Sequence, residues 1–140
     1  MKNCRIIRAT DSAAYAGKQG LDYFVGVSAE SCGAEGLCMH LLVLPPGAEA
    51  RAHLHEAHES AIFVLEGSAA MRHGADLEHL DTVAAGDFVF IPAGVPHQPF
   101  NPTDRPVRAL IARTDPNEQE SVVLLPELEA IAEAALTPAK

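Results

Sequence analysis

Three histidines and a glutamate fall within seven consecutive positions of this sequence, as His53, His55, His58 and Glu59. On a β-strand alternate side chains point to the same face, so His53 and His55 can place their imidazoles side by side. Glu59 lies four residues beyond His55, an even number, so on a continuous strand its side chain would point to the same face. Three imidazoles, counting His97 further along the chain, with one carboxylate suit Mn, Fe, Co, Ni or Zn better than Ca or Mg. The residues predict one divalent transition metal held by His53, His55, Glu59 and His97.

His97 depends on a turn to reach this group. The apolar segment Phe88–Ile91 has the composition of a short strand, and Pro92 and Gly94 follow it directly. Proline and glycine at this spacing favour a rigid turn, which re-aims the chain after the strand. We therefore expect His97 to return toward the first histidines.

The first histidine segment resembles a motif of the cupin family. That motif is a glycine, five residues, His-x-His, three or four residues, a glutamate, six residues and a glycine. In this sequence Gly47, His53, His55, Glu59 and Gly67 take these places.

The second segment resembles the other cupin motif, Gly-x5-Pro-x-Gly-x2-His-x3-Asn. This motif is matched throughout by Gly86, Pro92, Gly94, His97 and Asn101. The two motifs together span residues 47–101, and their conjunction is far more specific than either alone.

The resemblance implies a small single-domain RmlC-like cupin. Its fold would be all-β, a double-stranded β-helix or jelly-roll barrel, with a short helix at the C-terminal end. In such a protein His53, His55, Glu59 and His97 match the usual three-histidine, one-glutamate metal ligands.

One departure from the motif concerns the acidic ligand. Seven residues, not six, separate Glu59 from Gly67, so counting back from Gly67 places Ser60 where the family has its acid. A local bulge would absorb the extra residue. Without a bulge His58 would share the inward face with Ser60 and replace Glu59 as ligand. We expect Glu59 to be the acidic ligand, because it follows His55 by the number of residues that the motif requires, and we keep His58 as the alternative ligand.

Composition narrows the class of protein and its partners. A chain of 140 residues suits one domain, here residues 1–140. The formal net charge of -9 opposes binding to nucleic acid or to anionic membranes. No signal peptide and no membrane-length apolar segment is evident, so we expect a cytoplasmic protein. The three cysteines, Cys4, Cys32 and Cys38, show no paired spacing and are expected to be reduced.

Short apolar segments bounded by turn residues recur along most of the chain, which is typical of an all-β protein. The predicted strands are residues 21–27, 37–44, 61–65, 69–73, 88–91 and 107–112, with a further apolar segment at 122–125. A helical tail is predicted at about residues 126–136, where apolar residues recur at helical spacing after Pro126.

Several side chains outside the motifs have two interpretations each. His40 either points into the barrel as a functional group or is a satisfied core histidine. Arg51 either binds an anionic substrate or pairs with a surface carboxylate. The predicted strands also carry four large apolar side chains, which we expect to be core: Phe63, Met71, Phe88 and Phe90.

Four protein ligands leave open positions on such a metal, so catalysis is feasible. We expect a metalloenzyme acting on an oxygen-rich metabolite such as a sugar, keto acid or diketone, as an isomerase or a dioxygenase. The alternative is a non-catalytic module that binds or senses a small ligand. A homodimer is expected, since pairing would cover exposed sheet edges.

Overall fold

Strands make up most of the computed structural model, which describes residues 3–11, 14–119 and 121–129. The described residues also include a 3₁₀ turn at Ala9–Asp11, a four-residue helix α1 at Ala29–Cys32, and a helical segment at residues 126–129. The strands are β1 (Ala14–Ala16), β2 (Asp22–Val27), β3 (Cys38–Leu44), β4 (His53–His55), β5 (Ser60–Glu66), β6 (Ser68–His73), β7 (His79–Ala84), β8 (Phe88–Ile91), β9 (His97–Phe100), β10 (Val107–Arg113) and β11 (Val122–Leu124).

The strands form two antiparallel sheets. The first sheet has the order β1-β2-β3-β10-β5-β8, and the second has the order β11-β4-β9-β6-β7. Strands that follow one another in the chain often lie in different sheets, as β5 and β6 do, so the chain winds between two facing layers. This arrangement confirms the predicted double-stranded β-helix.

Every predicted strand is present, with ends that differ by at most one residue. The strands that the sequence did not reveal are β1, β7 and β9. Almost every residue of β7 is exposed, so it shows no apolar alternation, and β9 is a short polar segment that contains Pro99. The C-terminal helix begins at Pro126 as predicted, while its remainder to residue 136 lies outside the described part of the chain. Within that part, no helix is long and apolar enough to span a membrane.

The hydrophobic core lies between the two sheets. Strands β3 and β10 alternate buried and more exposed residues, which gives each a clear inward face. The buried apolar cluster consists of Leu21, Tyr23, Leu42, Leu44, Ala50, Val64, Val107 and Ile111. The expectation that Phe88 and Phe90 belong to the core is wrong, since they are 79% and 62% exposed. They lie on edge strand β8, whose outer face is not covered by any other described element.

Gly67 makes the turn from the first sheet to the second. Its φ of +83° is a conformation that other residues rarely adopt, and an added Cβ would lie 2.6 Å from the carbonyl oxygen of Pro106. Only glycine fits this turn, which fixes where β5 ends and β6 begins.

Candidate metal centre

Strands β4 and β9 bring three of the predicted ligands together. His53 and His55 share the buried face of β4, while Leu54 between them is only partly buried. His53 is the direct cross-strand partner of His97 in β9. The ring centroids are 4.2 Å apart for His53 and His97, and 5.0 Å apart for each of the other two pairs. One potential ligand atom from each ring lies within 4.8 Å of the other two, as a shared metal ion requires.

Backbone carbonyls select the ring nitrogen that each of two histidines can offer. The Nδ1 atom of His53 lies 2.6 Å from the carbonyl oxygen of Arg51, and that of His97 lies 2.9 Å from the carbonyl oxygen of Val95. A carbonyl oxygen only accepts hydrogen bonds, so each Nδ1 must carry the proton. Nε2 then keeps its lone pair, which is the usual arrangement in metal-ligating histidines.

Burial also keeps these rings in the form that binds metals. The three side chains are each 2% exposed. Burial lowers the pKa of His53 to about 4, that of His97 to about 3 and that of His55 to about 2, and charge on the neighbouring rings lowers the pKa of His55 further. All three are therefore neutral near pH 7.

Glu59 lies outside the three-histidine cluster. Strand β4 ends at His55 and β5 begins only at Ser60, so the strand alternation does not continue through residues 56–59. Glu59 is exposed, and its backbone is held by Thr114, with N–H donating to Thr114 Oγ1 at 3.0 Å and the carbonyl accepting from Thr114 N–H at 3.1 Å.

His58, the alternative ligand, is buried beside the cluster. Its ring centroid lies 4.6 Å from that of His55. Its Nδ1 lies 3.6 Å from a carboxylate oxygen of Asp115 and 3.4 Å from Ser121 Oγ. Burial lowers the pKa of His58, and the charge of Asp115 opposes that shift. With Nδ1 directed at a carboxylate, Nε2 is the nitrogen suited to bind a metal.

Ser60, at the position where counting back from Gly67 places the acid, points into the barrel. It is buried, whereas Ala61 after it is exposed. Its Oγ atom has no hydrogen-bond partner among the described residues. Sequence reasoning identified this position but assigned the serine no role.

A cavity of about 460 Å³ reaches the cluster. It lies between edge strands β7 and β8, where the two sheets are not joined by a hydrogen-bonded strand. The residues around it include Met71, His73, Asp81, Phe88, Ile91 and His97. His73 and Asp81 form a hydrogen-bonded pair in its wall, with His73 Nε2 2.7 Å from Asp81 Oδ2. This pair was not predicted from the sequence, because no motif spacing links the two residues.

The remaining side chains with two interpretations are now assigned. His40 is a buried core histidine whose Nδ1 accepts the Gly26 N–H at 3.1 Å. Arg51 pairs at the surface with Glu129, at 3.6 Å from Nε to Oε1. None of the three cysteines forms a disulfide among the described residues, and Cys38 is fully buried.

Solved structures with this fold come from several enzyme classes. The chain is similar to the polyketide cyclase RemF from Streptomyces resistomycificus, at 24% identity over 88% of this chain and 86% of that one, with a TM-score of 0.71. It is also similar to a sugar phosphate isomerase of the cupin superfamily from Silicibacter pomeroyi, at 23% identity over 74% of this chain and 68% of that one, with a TM-score of 0.58. Against the oxalate decarboxylase of Lactobacillus farciminis the identity is 19%, the coverage is 93% of this chain and 40% of that one, and the TM-score is 0.70. Identities this low establish the fold alone.

No curated protein matches the sequence significantly. The family model for the cupin domain matches residues 40–113, more than half of the chain. That range contains both motifs and all three clustered histidines, so the chain belongs to the cupin family.

Proposed function

We propose that this cupin is a metalloenzyme that holds one divalent transition metal, Mn, Fe, Co, Ni or Zn, and acts on an oxygen-rich small metabolite. The observation that carries the proposal is the buried cluster of His53, His55 and His97, in which two rings are oriented by backbone carbonyls and His97 lines a cavity. These donors fit the imidazole preference of these metals.

The proposed fourth ligand is His58 rather than Glu59. His58 is buried against His55 and has a carboxylate at Nδ1, whereas Glu59 is exposed and lies outside the cluster. Four neutral imidazoles carry no negative charge, so they would leave both positive charges of the ion uncompensated. A carboxylate ligand would compensate part of that charge.

Of the two reaction types expected from the resemblance, isomerisation has more support. A metal held by the three histidines would supply a Lewis acid that polarises a carbonyl oxygen. Isomerisation next to a carbonyl also needs a group that removes and returns a proton. His73 lines the cavity together with His97, and its hydrogen bond to Asp81 orients the ring. His73 is thus placed to hold that proton.

The test separates an enzyme from a binding module. Metal-loaded protein in D₂O is mixed in turn with 2-oxo acids, β-diketones and keto sugars, and deuterium entering the carbon beside the carbonyl is followed by ¹H NMR. We expect exchange with the wild type and a loss of about a hundredfold or more in His73→Gln, the lower end of what one general base contributes, with unchanged metal content. A protein that binds these compounds without exchange, turnover or oxygen uptake would instead be a non-catalytic module.

A further inference from the structure

Apolar side chains form two facing walls of the cavity that His97 lines. In the first sheet Val89 is the direct cross-strand partner of Ile62, which packs against the core. Direct partners share one face of a sheet, so Val89 faces inward, and Ile91 two residues later does the same. In the second sheet Val83 packs against the same core, and the register of β6 with β7 places Met71 on its face. Both walls line the cavity.

These walls leave apolar surface available to a ligand. Met71, Val83 and Val89 are only partly buried, although they face into the barrel. Covering such surface with an apolar group is favourable, because it removes the surface from water. An apolar cavity of about 150 Å³ is enough to bind benzene. This cavity of about 460 Å³ therefore has room for a ring together with a polar group.

The spacing between the histidines and the apolar walls suits one small molecule. His73 is the direct cross-strand partner of His97, and Met71 precedes His73 by two residues on β6. Two residues of a strand span about 7 Å. A carbonyl group directed at a metal in the cluster would therefore place a ring attached to it against Met71.

The two carboxylates of the cavity already have partners in the chain. Asp81 Oδ2 lies 2.7 Å from His73 Nε2, and Asp87 Oδ2 accepts the Ala84 N–H at 2.8 Å. A ligand with many hydroxyl groups, such as a sugar, would place several of them against the apolar walls, where an unpaired hydroxyl costs free energy. The cavity thus favours a ligand whose polar atoms are confined to one end.

Charge around the cavity opposes an anionic group away from the metal. Asp81 and Asp87 line the cavity and are both exposed, and no lysine or arginine lines it within the described part of the chain. Phosphate groups are usually bound by such cationic side chains. Two carboxylates would instead repel a phosphate, as would the net charge of -9. The part of the ligand distant from the metal is therefore uncharged.

We propose that the substrate has two parts, a carbonyl head that binds the metal and an uncharged, ring-sized apolar group that packs between Met71, Val83, Val89 and Ile91. The head is a β-diketone or a 2-oxo acid, which both chelate a metal through oxygen, whereas sugars and sugar phosphates do not fit. Met71 and Val89 then determine specificity. This inference rests on the proposed function, because it requires a metal in the histidine cluster.

The test compares ligands that differ by one phenyl group. Acetylacetone is paired with benzoylacetone, and pyruvate with phenylpyruvate, so that the two heads are tested separately. The protein is loaded with Zn²⁺, metal content is measured first for every variant, and binding is followed by isothermal titration calorimetry. We expect the phenyl compound of at least one pair to bind the wild type about tenfold or more tightly than its phenyl-free counterpart. Fructose 6-phosphate should bind more weakly than that phenyl compound.

Variants of the two walls test where the phenyl group lies. Met71→Gln and Val89→Thr keep the side-chain size but make the wall polar. Each should reduce the advantage of the phenyl compound by about threefold to tenfold and leave the phenyl-free ligand within about twofold. Leu80→Gln is the control, because Leu80 lies on the same hairpin, is 58% exposed and does not line the cavity. It should match the wild type.

The inference is overturned if neither phenyl compound binds more tightly than its counterpart, or if fructose 6-phosphate binds more tightly than both. It is also overturned if Met71→Gln and Val89→Thr keep the full phenyl advantage. A wild type that takes up no metal would instead refute the proposed function at the earlier step. Metal-loaded protein that prefers the phenyl compounds without catalysing exchange would support this ligand class and refute catalysis. Circular dichroism identifies a variant that fails to fold, and the other wall variant then decides the outcome.

Discussion

The carbonyl oxygens of Arg51 and Val95 determine which nitrogens His53 and His97 can offer to a metal. In each case the carbonyl belongs to the residue two positions earlier on the same chain segment. Because these acceptors are backbone groups, substitution of the Arg51 side chain leaves the ring orientation of His53 intact. The metal-binding form of both rings is thus a property of the local backbone.

The fourth ligand is tested by comparing two adjacent residues. We expect His58→Ala to weaken metal binding by about tenfold or more, because it removes a buried imidazole beside His55, while Glu59→Ala changes it by less than about twofold. Competition with a chromophoric chelator measures both affinities. If only Glu59→Ala weakened metal binding, the fourth ligand would be Glu59, as expected from the family motif.

His40 makes stability depend on pH independently of any metal. Burial lowers its pKa from 6.5 to about 4, and the charge of Arg113 adds to this. The folded state therefore binds fewer protons than the unfolded state between these values, so the stabilisation is complete above pH 6.5 and is lost as the pH falls toward 4. From pH 7 to pH 5 we expect a loss of about 2 kcal/mol from this residue.

The control is His40→Asn, whose side-chain oxygen can still accept the Gly26 N–H but does not titrate in this range. Urea denaturation at pH 7 and pH 5 should show a smaller loss in this variant than in the wild type. Equal losses in the two proteins would contradict the assignment of a titrating His40.

At the scale of elements, the sequence predicts side-chain directions only where a regular strand exists. His53 and His55 follow the alternation of β4, and their shared face was predicted from that alternation alone. Residues 56–59 have no strand conformation, so the parity argument for Glu59 did not apply, and His58 became the buried residue. Which residue of such a connection turns inward depends on contacts with Thr114 and Asp115, which are distant in sequence.

The turn at Gly67 sets the register between the two sheets. Gly67→Ala combines a left-handed backbone with a contact of 2.6 Å to Pro106 O, so we expect it to lower the free energy of unfolding by at least ~2 kcal/mol. Gly36→Ala is the control, because an added Cβ there meets no atom within 4 Å and no positive φ is required. It should change stability by less than ~0.5 kcal/mol. Urea denaturation measures both, and similar effects at the two sites would argue against this role of Gly67.

At the scale of the whole molecule, edge strand β8 carries an exposed apolar surface. Phe88 and Phe90 lie on it, and the Phe88 ring packs 4.7 Å from that of Phe63. An unpaired strand edge with large apolar side chains favours association, and we propose that a second copy of the chain covers it.

We therefore expect a dimer by light scattering at micromolar concentration and a monomer for the double variant Phe88→Ser, Phe90→Ser. Leu37→Ser, an exposed apolar residue outside β8, should leave the dimer intact. A monomeric wild type would contradict this assembly. If the double variant still forms a dimer, the interface lies on another part of the surface.

Elemental analysis by mass spectrometry shows whether the cluster of His53, His55 and His97 holds a metal ion. The proteins are prepared without an affinity tag and incubated with each of Mn, Fe, Co, Ni and Zn before dialysis. We predict about one metal ion per chain in the wild type, and the same in His79→Ala, a control histidine at the surface. His53→Ala with His97→Ala should retain almost none while remaining folded. Metal-free wild type after every incubation, or equal metal in the double variant, would contradict the three-histidine centre.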